Sequence, residues 1–190
     1  MLYLNQNDYG HIPYMHNTDN GGAAPERRNI GTSGCGLCCA CMVVDQLTTQ
    51  TLSLEECVRM AEESGANHCA GSNMTILGPL LAERFGIEYV CTTDLQEMLT
   101  CLRNGGKVIV NVRVDENGQG IFTTSRHYMT LIAVNGDEVC ILDPNYKSGK
   151  FQKEEEAGLL RVCEPFLYCS TQLIHLEARS PTPYHLFKRK

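Results

Sequence analysis

The 190-residue sequence contains no tryptophan and only five phenylalanines, and aromatic residues make up 7% of it. No apolar run approaches the ~18 residues that a membrane-spanning helix needs. Excess positive charge is also missing: 16 Lys and Arg stand against 22 Asp and Glu, a net charge of −6. That balance excludes nucleic-acid recognition through a broad basic surface, and the short basic groups Arg27-Arg28 and Lys188-Arg189-Lys190 do not change it. The first residues, Met1-Leu2-Tyr3-Leu4-Asn5-Gln6-Asn7-Asp8, have neither the basic start nor the apolar stretch of a secretion signal. A cytoplasmic protein without a membrane segment is the expectation.

Cysteine, by contrast, is abundant at 11 residues. Without an export signal, free thiols are expected in preference to a disulfide framework, and the odd count leaves one unpaired in any case. Cys91, Cys140 and Cys163 stand beside β-branched or other apolar residues, where cysteine serves as a small hydrophobe. Hydrophobic residues at 43% and charged residues at 20% are ordinary for a globular chain, and the length favours one domain over 1–190.

Residues 1 to about 30 are poor in aliphatic runs, and Asn20-Gly21-Gly22 and Pro25 signal turns, so an irregular segment is expected there. A helix is predicted from Cys35 to about Leu47. A second follows Ser53, with Glu56 three residues on in a capping-box pattern and Leu54, Cys57, Val58 and Ala61 on one face. A loop over 66–72 leads to a third helix capped by Asn73 and ending near Phe85-Gly86, with Pro79 predicting a kink or a late start. Ile87 to Cys91 reads as a strand and Asp94 to Arg103 as a helix. The alternation of Val108, Val110, Val112 and Val114 marks a strand over 107–114. His127–Val134 and Val139–Leu142 form strands about a hairpin turn at Asn135-Gly136-Asp137. Residues 147–160 read as a polar loop carrying the acidic run Glu154-Glu155-Glu156. Short strands are expected at 165–168 and 172–176, within a C-terminal strand region spanning 165–187. Helices first and then a mostly antiparallel sheet indicate an α+β fold, with a cleft between the two halves.

Chemistry concentrates at Gly34-Cys35-Gly36. A cysteine nucleophile works as a thiolate, which a helix N-terminus and a neighbouring imidazole both favour. The flanking glycines let a substrate approach, and the Cys35 N–H, free in the first helical turn, can meet an oxyanion. Of six histidines, His127 opens a strong strand directly after a turn-like segment. Asp143 ends that strand's hairpin partner, so the hairpin brings His127 and Asp143 together. The order Cys-His-Asp matches the roles of nucleophile, base and orienting group in papain-like hydrolases.

Gly34-Cys35-Gly36 at a helix start, His127-Tyr128 opening a strand and Asp143-Pro144 closing its partner together resemble one family. It is the cysteine peptidases that cleave double-glycine leader peptides in bacteriocin export, and more closely their stand-alone bacterial relatives. The resemblance covers about residues 30–146, with Gly71-Ser72-Asn73-Met74 and the Gly-Gly-Lys before Val108 as further landmarks. It implies a papain-like fold, hydrolysis of a peptide or amide substrate, no cofactor, Cys35 as nucleophile, His127 as general base and Asp143 as orienting residue. Relatives often carry a glutamine for the oxyanion hole six residues before the cysteine; Asn29 occupies that position here. Where relatives commonly have a small pair before the histidine, this chain has Ser125-Arg126.

Two other readings remain open on sequence. One is a catalytically silent module that holds a peptide in the same cleft. The other is a metal site on Cys35, Cys38, Cys39 and Cys41, with His68-Cys69 as a second pair. Packing is the alternative for Cys38, Cys39 and Cys41. Tyr128 and Tyr146 flank the proposed base and acid, His175 reads as scaffold, and His11 and His16 belong to the irregular N-terminal segment, where lining the cleft with Tyr9 and Tyr14 is the alternative.

Overall fold

The computed structural model describes residues 1–15, 28–67 and 71–190. Asn20-Gly21-Gly22, Pro25, His16, His68 and Cys69 lie outside the described residues. Seven strands make one sheet in the order β1-β7-β2-β3-β4-β6-β5, antiparallel at every pairing. They are β1 Ile87–Thr92, β2 Lys107–Arg113, β3 Arg126–Asn135, β4 Glu138–Leu142, β5 Leu160–Cys163, β6 Phe166–Ser170 and β7 Tyr184–Arg189. In β2 the valine alternation does what its period of two requires. Val108, Val110 and Val112 pack on one face with Met98 and Leu102 of α5 (Leu95–Arg103), while Ile109 enters the core on the other.

That second face is covered by α2 (Cys35–Leu47), whose residues from Gly36 through Val44 are all buried. A helix apolar on every side has to be surrounded. Here β3 and β2 lie on one side, and α3 (Leu54–Glu63) and α4 (Met74–Phe85) lie against it as well. The small residues Gly36, Cys38, Cys39, Ala40 and Cys41 let these neighbours approach closely, and Cys57 of α3 reaches the Leu37 carbonyl at 3.9 Å. Each larger apolar side chain buried here contributes about 1.5–3 kcal/mol. Ser53 caps α3 by accepting the Glu56 N–H, and Leu54, Cys57, Val58 and Ala61 are its buried face, as the periodicity requires. Asn73 caps α4, which starts at Met74 and runs through Pro79 as one element to Gly86, whose φ of +64° closes it in the left-handed region.

Two regions differ from expectation. Residues 172–176 are not a strand but lie in α7 (Thr171–Glu177). Ser170 caps this helix by accepting the Leu173 N–H, and Thr171, Ile174 and Glu177 are buried at a spacing of three. Over the five residues from Gln172 to Leu176 both periods fit, and the cap decides between them. The second difference is the polar stretch 147–160, which contains the short α6 (Gln152–Glu156) and the first residue of β5. The last strand of the C-terminal region, β7, lies not at an edge but between β1 and β2. Upstream, a 3₁₀ turn at Gln6–Tyr9 and a bridge between Pro13 and Asn29 lead to the four-residue α1 (Ile30–Ser33).

Candidate active site

Helices α1 and α2 meet at Gly34. A Cβ there would lie 2.5 Å from Ile30 Cγ2 and 2.6 Å from the Ile30 carbonyl oxygen, so no larger residue makes this step without displacing the backbone. The step sets Cys35 at the N-terminus of α2. The Cys38 N–H bonds the Gly34 carbonyl at 2.9 Å, and the Cys35 and Gly36 N–H groups lie ahead of that bond. Gly36 has its own requirement: a Cβ would meet Ser72 and the Tyr128 ring, each at 3.2 Å.

The β3–β4 hairpin supplies the other two groups. Asn135 pairs with Glu138 across the turn, and an irregularity between Leu131 and Ala133 shifts the register so that Thr130 lies opposite Leu142. Asp143 follows directly, and His127 Nε2 donates to its Oδ1 at 2.6 Å, with Asp143 fully buried. The imidazole and the Cys35 side chain line the same cavity, near enough for each to shift the other's titration. Cys35, His127 and Asp143 thus lie together, His127 bonded to Asp143 and sharing one cavity with Cys35.

Their electrostatics follow from that order. Burial pushes the Cys35 thiol up, but the His127 hydrogen bond and charge, with the Tyr128 and Gly36 backbone groups, outweigh it and leave the thiol below its ordinary value. Burial alone would lower the imidazole; the Asp143 charge and hydrogen bond, aided by Cys35, raise it to about 9. For Asp143, burial is likewise overcome, by His127 and then by Lys150, and its carboxyl falls to about 2. Together these shifts favour a thiolate–imidazolium pair.

Three contacts around Asp143 carry no sequence signal. Lys150 Nζ donates to Oδ2 at 2.7 Å and to the Asn145 carbonyl at 3.1 Å. The Asn145 N–H donates to Oδ1 at 2.8 Å. The Tyr3 hydroxyl donates to the Asp143 carbonyl at 2.8 Å. Tyr3 belongs to an N-terminal strap. The Gln6 N–H bonds the Pro144 carbonyl at 2.6 Å, Asn5 Nδ2 the Tyr146 carbonyl at 2.8 Å, and Gln6 Nε2 the Gly31 carbonyl at 2.8 Å. One segment therefore ties the aspartate turn to the helix that leads to Cys35. Tyr146 itself turns away, its hydroxyl donating to Glu164 at 2.6 Å.

A cavity of about 440 Å³ opens over Cys35 and His127. Gly71, Ser72 and Asn73 form one wall and Asn111, Ser125, Arg126, Tyr128, Ser180 and Thr182 the other. A larger depression of about 790 Å³, beside Arg161, Tyr168 and Leu176, holds none of the three groups. Asn29 does not line the Cys35 cavity. Its side-chain oxygen accepts the Thr32 N–H at 3.1 Å and its backbone N–H donates to Thr32 Oγ1 at 3.3 Å, the reciprocal cap of α1. That leaves only its Nδ2 group for the expected role in an oxyanion hole.

Cys38, Cys39 and Cys41 are fully buried. Burial pushes the first two thiols up, and a hydrogen bond with Cys57 followed by burial does so for Cys41. Metal ligation needs the opposite, a thiolate. Among the described residues every cysteine is a free thiol, and no three His, Cys, Asp or Glu side chains converge as metal ligands. His11 is exposed beside Tyr9, and His175 on α7 bonds the Tyr184 hydroxyl at 2.8 Å; neither lines the cavity.

No helix among the described residues is long and apolar enough to cross a membrane. No protein-family model and no curated protein matches the sequence. Among solved structures, the chain is similar to a candidate C39-like peptidase from Bacillus anthracis, with a TM-score of 0.59 and 11% sequence identity over 100% of this chain and 94% of the other. The chain therefore has an α+β fold of the C39-like peptidase type, helices packed on an antiparallel sheet.

Proposed function

We propose that this protein is a cysteine hydrolase of the papain-like type, cleaving a peptide or amide bond. The observation that carries the reading is His127, bonded to the fully buried Asp143 at 2.6 Å and sharing one cavity with the Cys35 thiol at a helix N-terminus. The Cys35 thiolate attacks the substrate carbonyl carbon, and the Cys35 N–H receives the oxyanion. As the tetrahedral adduct collapses, the C–N bond breaks and His127 gives its proton to the departing amine. Water then attacks the thioester, passing a proton to His127, and the acid leaves as the thiol is restored. Asp143 holds the imidazole in the orientation both steps use. The fold shared with a candidate peptidase supports the same reaction class.

A second reading, a cleft that binds peptide without hydrolysing it, draws on the use of the Asn29 oxygen in the α1 cap. Incubation with a complex peptide mixture and detection of new termini or deamidated products by mass spectrometry separates the two. Products that vanish with Cys35→Ala support the hydrolase; retention of peptides without products, unchanged by Cys35→Ala, supports the binder.

A further inference from the structure

The cleft has a charge and a hydrogen-bonding character that the Cys-His-Asp chemistry does not use. Arg126 lines it, immediately before His127. Its Cα partner across the β2–β3 pairing is Arg113, so two guanidinium side chains leave the same face of the sheet at directly opposed positions. Opposed like charges destabilise a sheet unless something of the other sign lies between them. Among the described residues no Asp or Glu lines the cavity. Among the described residues no carboxylate is within ion-pair distance of either arginine. The acids at this end of the sheet are engaged elsewhere. Glu177 pairs with Arg179 at 3.1 Å and accepts the Ile121 N–H at 2.8 Å. Asp115 accepts the Asn117 and Gln119 N–H groups at 2.9 and 2.8 Å.

The next pair along the same face is Asn111 opposite Tyr128, and both line the cavity. The Asn111 carboxamide and the Tyr128 ring stand side by side in the cavity wall. Asn111 Oδ1 is buried and has no partner among the described residues. A buried amide oxygen without a donor is costly, and such an atom in a cleft wall is an acceptor for a ligand N–H. The wall therefore offers an acceptor and then the Arg126 cation along one face, with Arg113 opposite Arg126 in the sheet and outside the lining.

We propose that the substrate of this cleft carries a carboxylate close to the bond attacked by Cys35, received by Arg126 with the charge of Arg113 opposite it adding to the field, while a neighbouring amide N–H donates to Asn111 Oδ1. The proposal deepens the hydrolase reading and rests on it. A peptide supplies both groups, its carboxylate coming from an acidic side chain or from a chain terminus. Guanidinium groups match a carboxylate with two parallel hydrogen bonds, which gives direction as well as attraction.

The test compares alkylation of Cys35 by iodoacetate, an anion, and by iodoacetamide, its neutral counterpart, with the modified residue located by mass spectrometry. In each reaction the thiolate sulfur forms a bond to carbon and iodide leaves. The ratio of the two rates is independent of the thiolate fraction, so it reports the field of the cleft rather than the basicity of Cys35. The ratio is expected to fall about tenfold in Arg126→Gln, to be largely kept in Arg126→Lys, and to fall with added salt. Protection of Cys35 by N-acetylglutamic acid α-amide assigns the carboxylate to an acidic side chain; protection by N-acetylglutamine assigns it to a chain terminus. A ratio that is the same in the parent and in Arg126→Gln, at low salt, overturns the proposal. Failure of both reagents to modify Cys35 overturns instead the hydrolase reading beneath it.

Discussion

Lys150 is the contact whose removal says most about how this site is tuned. Asp143 is fully buried and its two oxygens are divided, Oδ1 serving His127 and Oδ2 meeting the Lys150 ammonium at 2.7 Å. Lys150→Met keeps most of the aliphatic stem, which packs beside Phe151 with Nζ 4.9 Å from the ring centroid, and removes the charge. Breaking a buried pair from one side costs about 3–5 kcal/mol; with the lysine side chain 21% exposed, water takes over part of its role, and about 2–3 kcal/mol is expected. The second consequence is chemical. The ammonium opposes the imidazolium through the shared carboxylate, at a separation of roughly 6 Å, where a unit charge at intermediate screening shifts a titration by about one pH unit. His127, already raised to about 9, is expected to titrate about one pH unit higher in Lys150→Met. Imidazole NMR across pH 5–11 reads this directly, and urea unfolding at neutral pH reads the stability. A variant as stable as the parent, with an unmoved His127 titration, refutes the reasoning.

Other consequences are sharper at single positions. Asn29→Asp keeps an excellent cap for α1 but deletes the Nδ2 donor; Cys35-dependent turnover is expected to change less than about threefold, whereas loss of an oxyanion-hole donor costs about a hundredfold or more. Gly34→Ala forces a Cβ to 2.5 Å from Ile30 Cγ2, and a loss of about 1–3 kcal/mol in denaturant unfolding is expected, with slower Cys35 alkylation as α1 and α2 separate. The stability of the parent should fall at both ends of the pH scale. The imidazolium contribution is whole below about 6.5 and is lost as pH rises through about 9; that of Asp143 is whole above 3.8 and is lost as pH falls towards about 2. Asp143→Asn should flatten both limbs in unfolding midpoints measured across pH, and a profile parallel to the parent's contradicts this assignment.

The helices at 35–47, 54–63 and 74–85 were legible because each joins a recognisable cap or glycine to a consistent apolar period. The β3–β4 hairpin was legible because Asn135-Gly136-Asp137 sets its turn, and its bulge, which no residue pattern announces, only shifts the pairing locally. The short segments were harder. At 172–176 strand and helix periods coincide over so few residues, and the hydroxyl of Ser170 settles the outcome. No residue-type pattern points to Lys150, which reaches Asp143 from within a polar loop, or to the Tyr3–Gln6 strap, whose partners are backbone carbonyls distant in the chain. The cap that Asn29 forms is invisible for a related reason: the position matches a donor, and the Thr32 that engages its oxygen is a partner that a resemblance to relatives does not weigh.

The central claim is that His127, oriented by Asp143, makes Cys35 a nucleophile. Iodoacetamide labelling at pH 6, resolved to the residue by mass spectrometry, tests it most directly. A thiolate sustained by an imidazolium is expected to react about tenfold faster than free cysteine at that pH, after allowing for the lower nucleophilicity of a less basic thiolate. His127→Gln is expected to abolish that advantage. A Cys35 that labels no faster than free cysteine, or one whose rate His127→Gln leaves unchanged, contradicts the account.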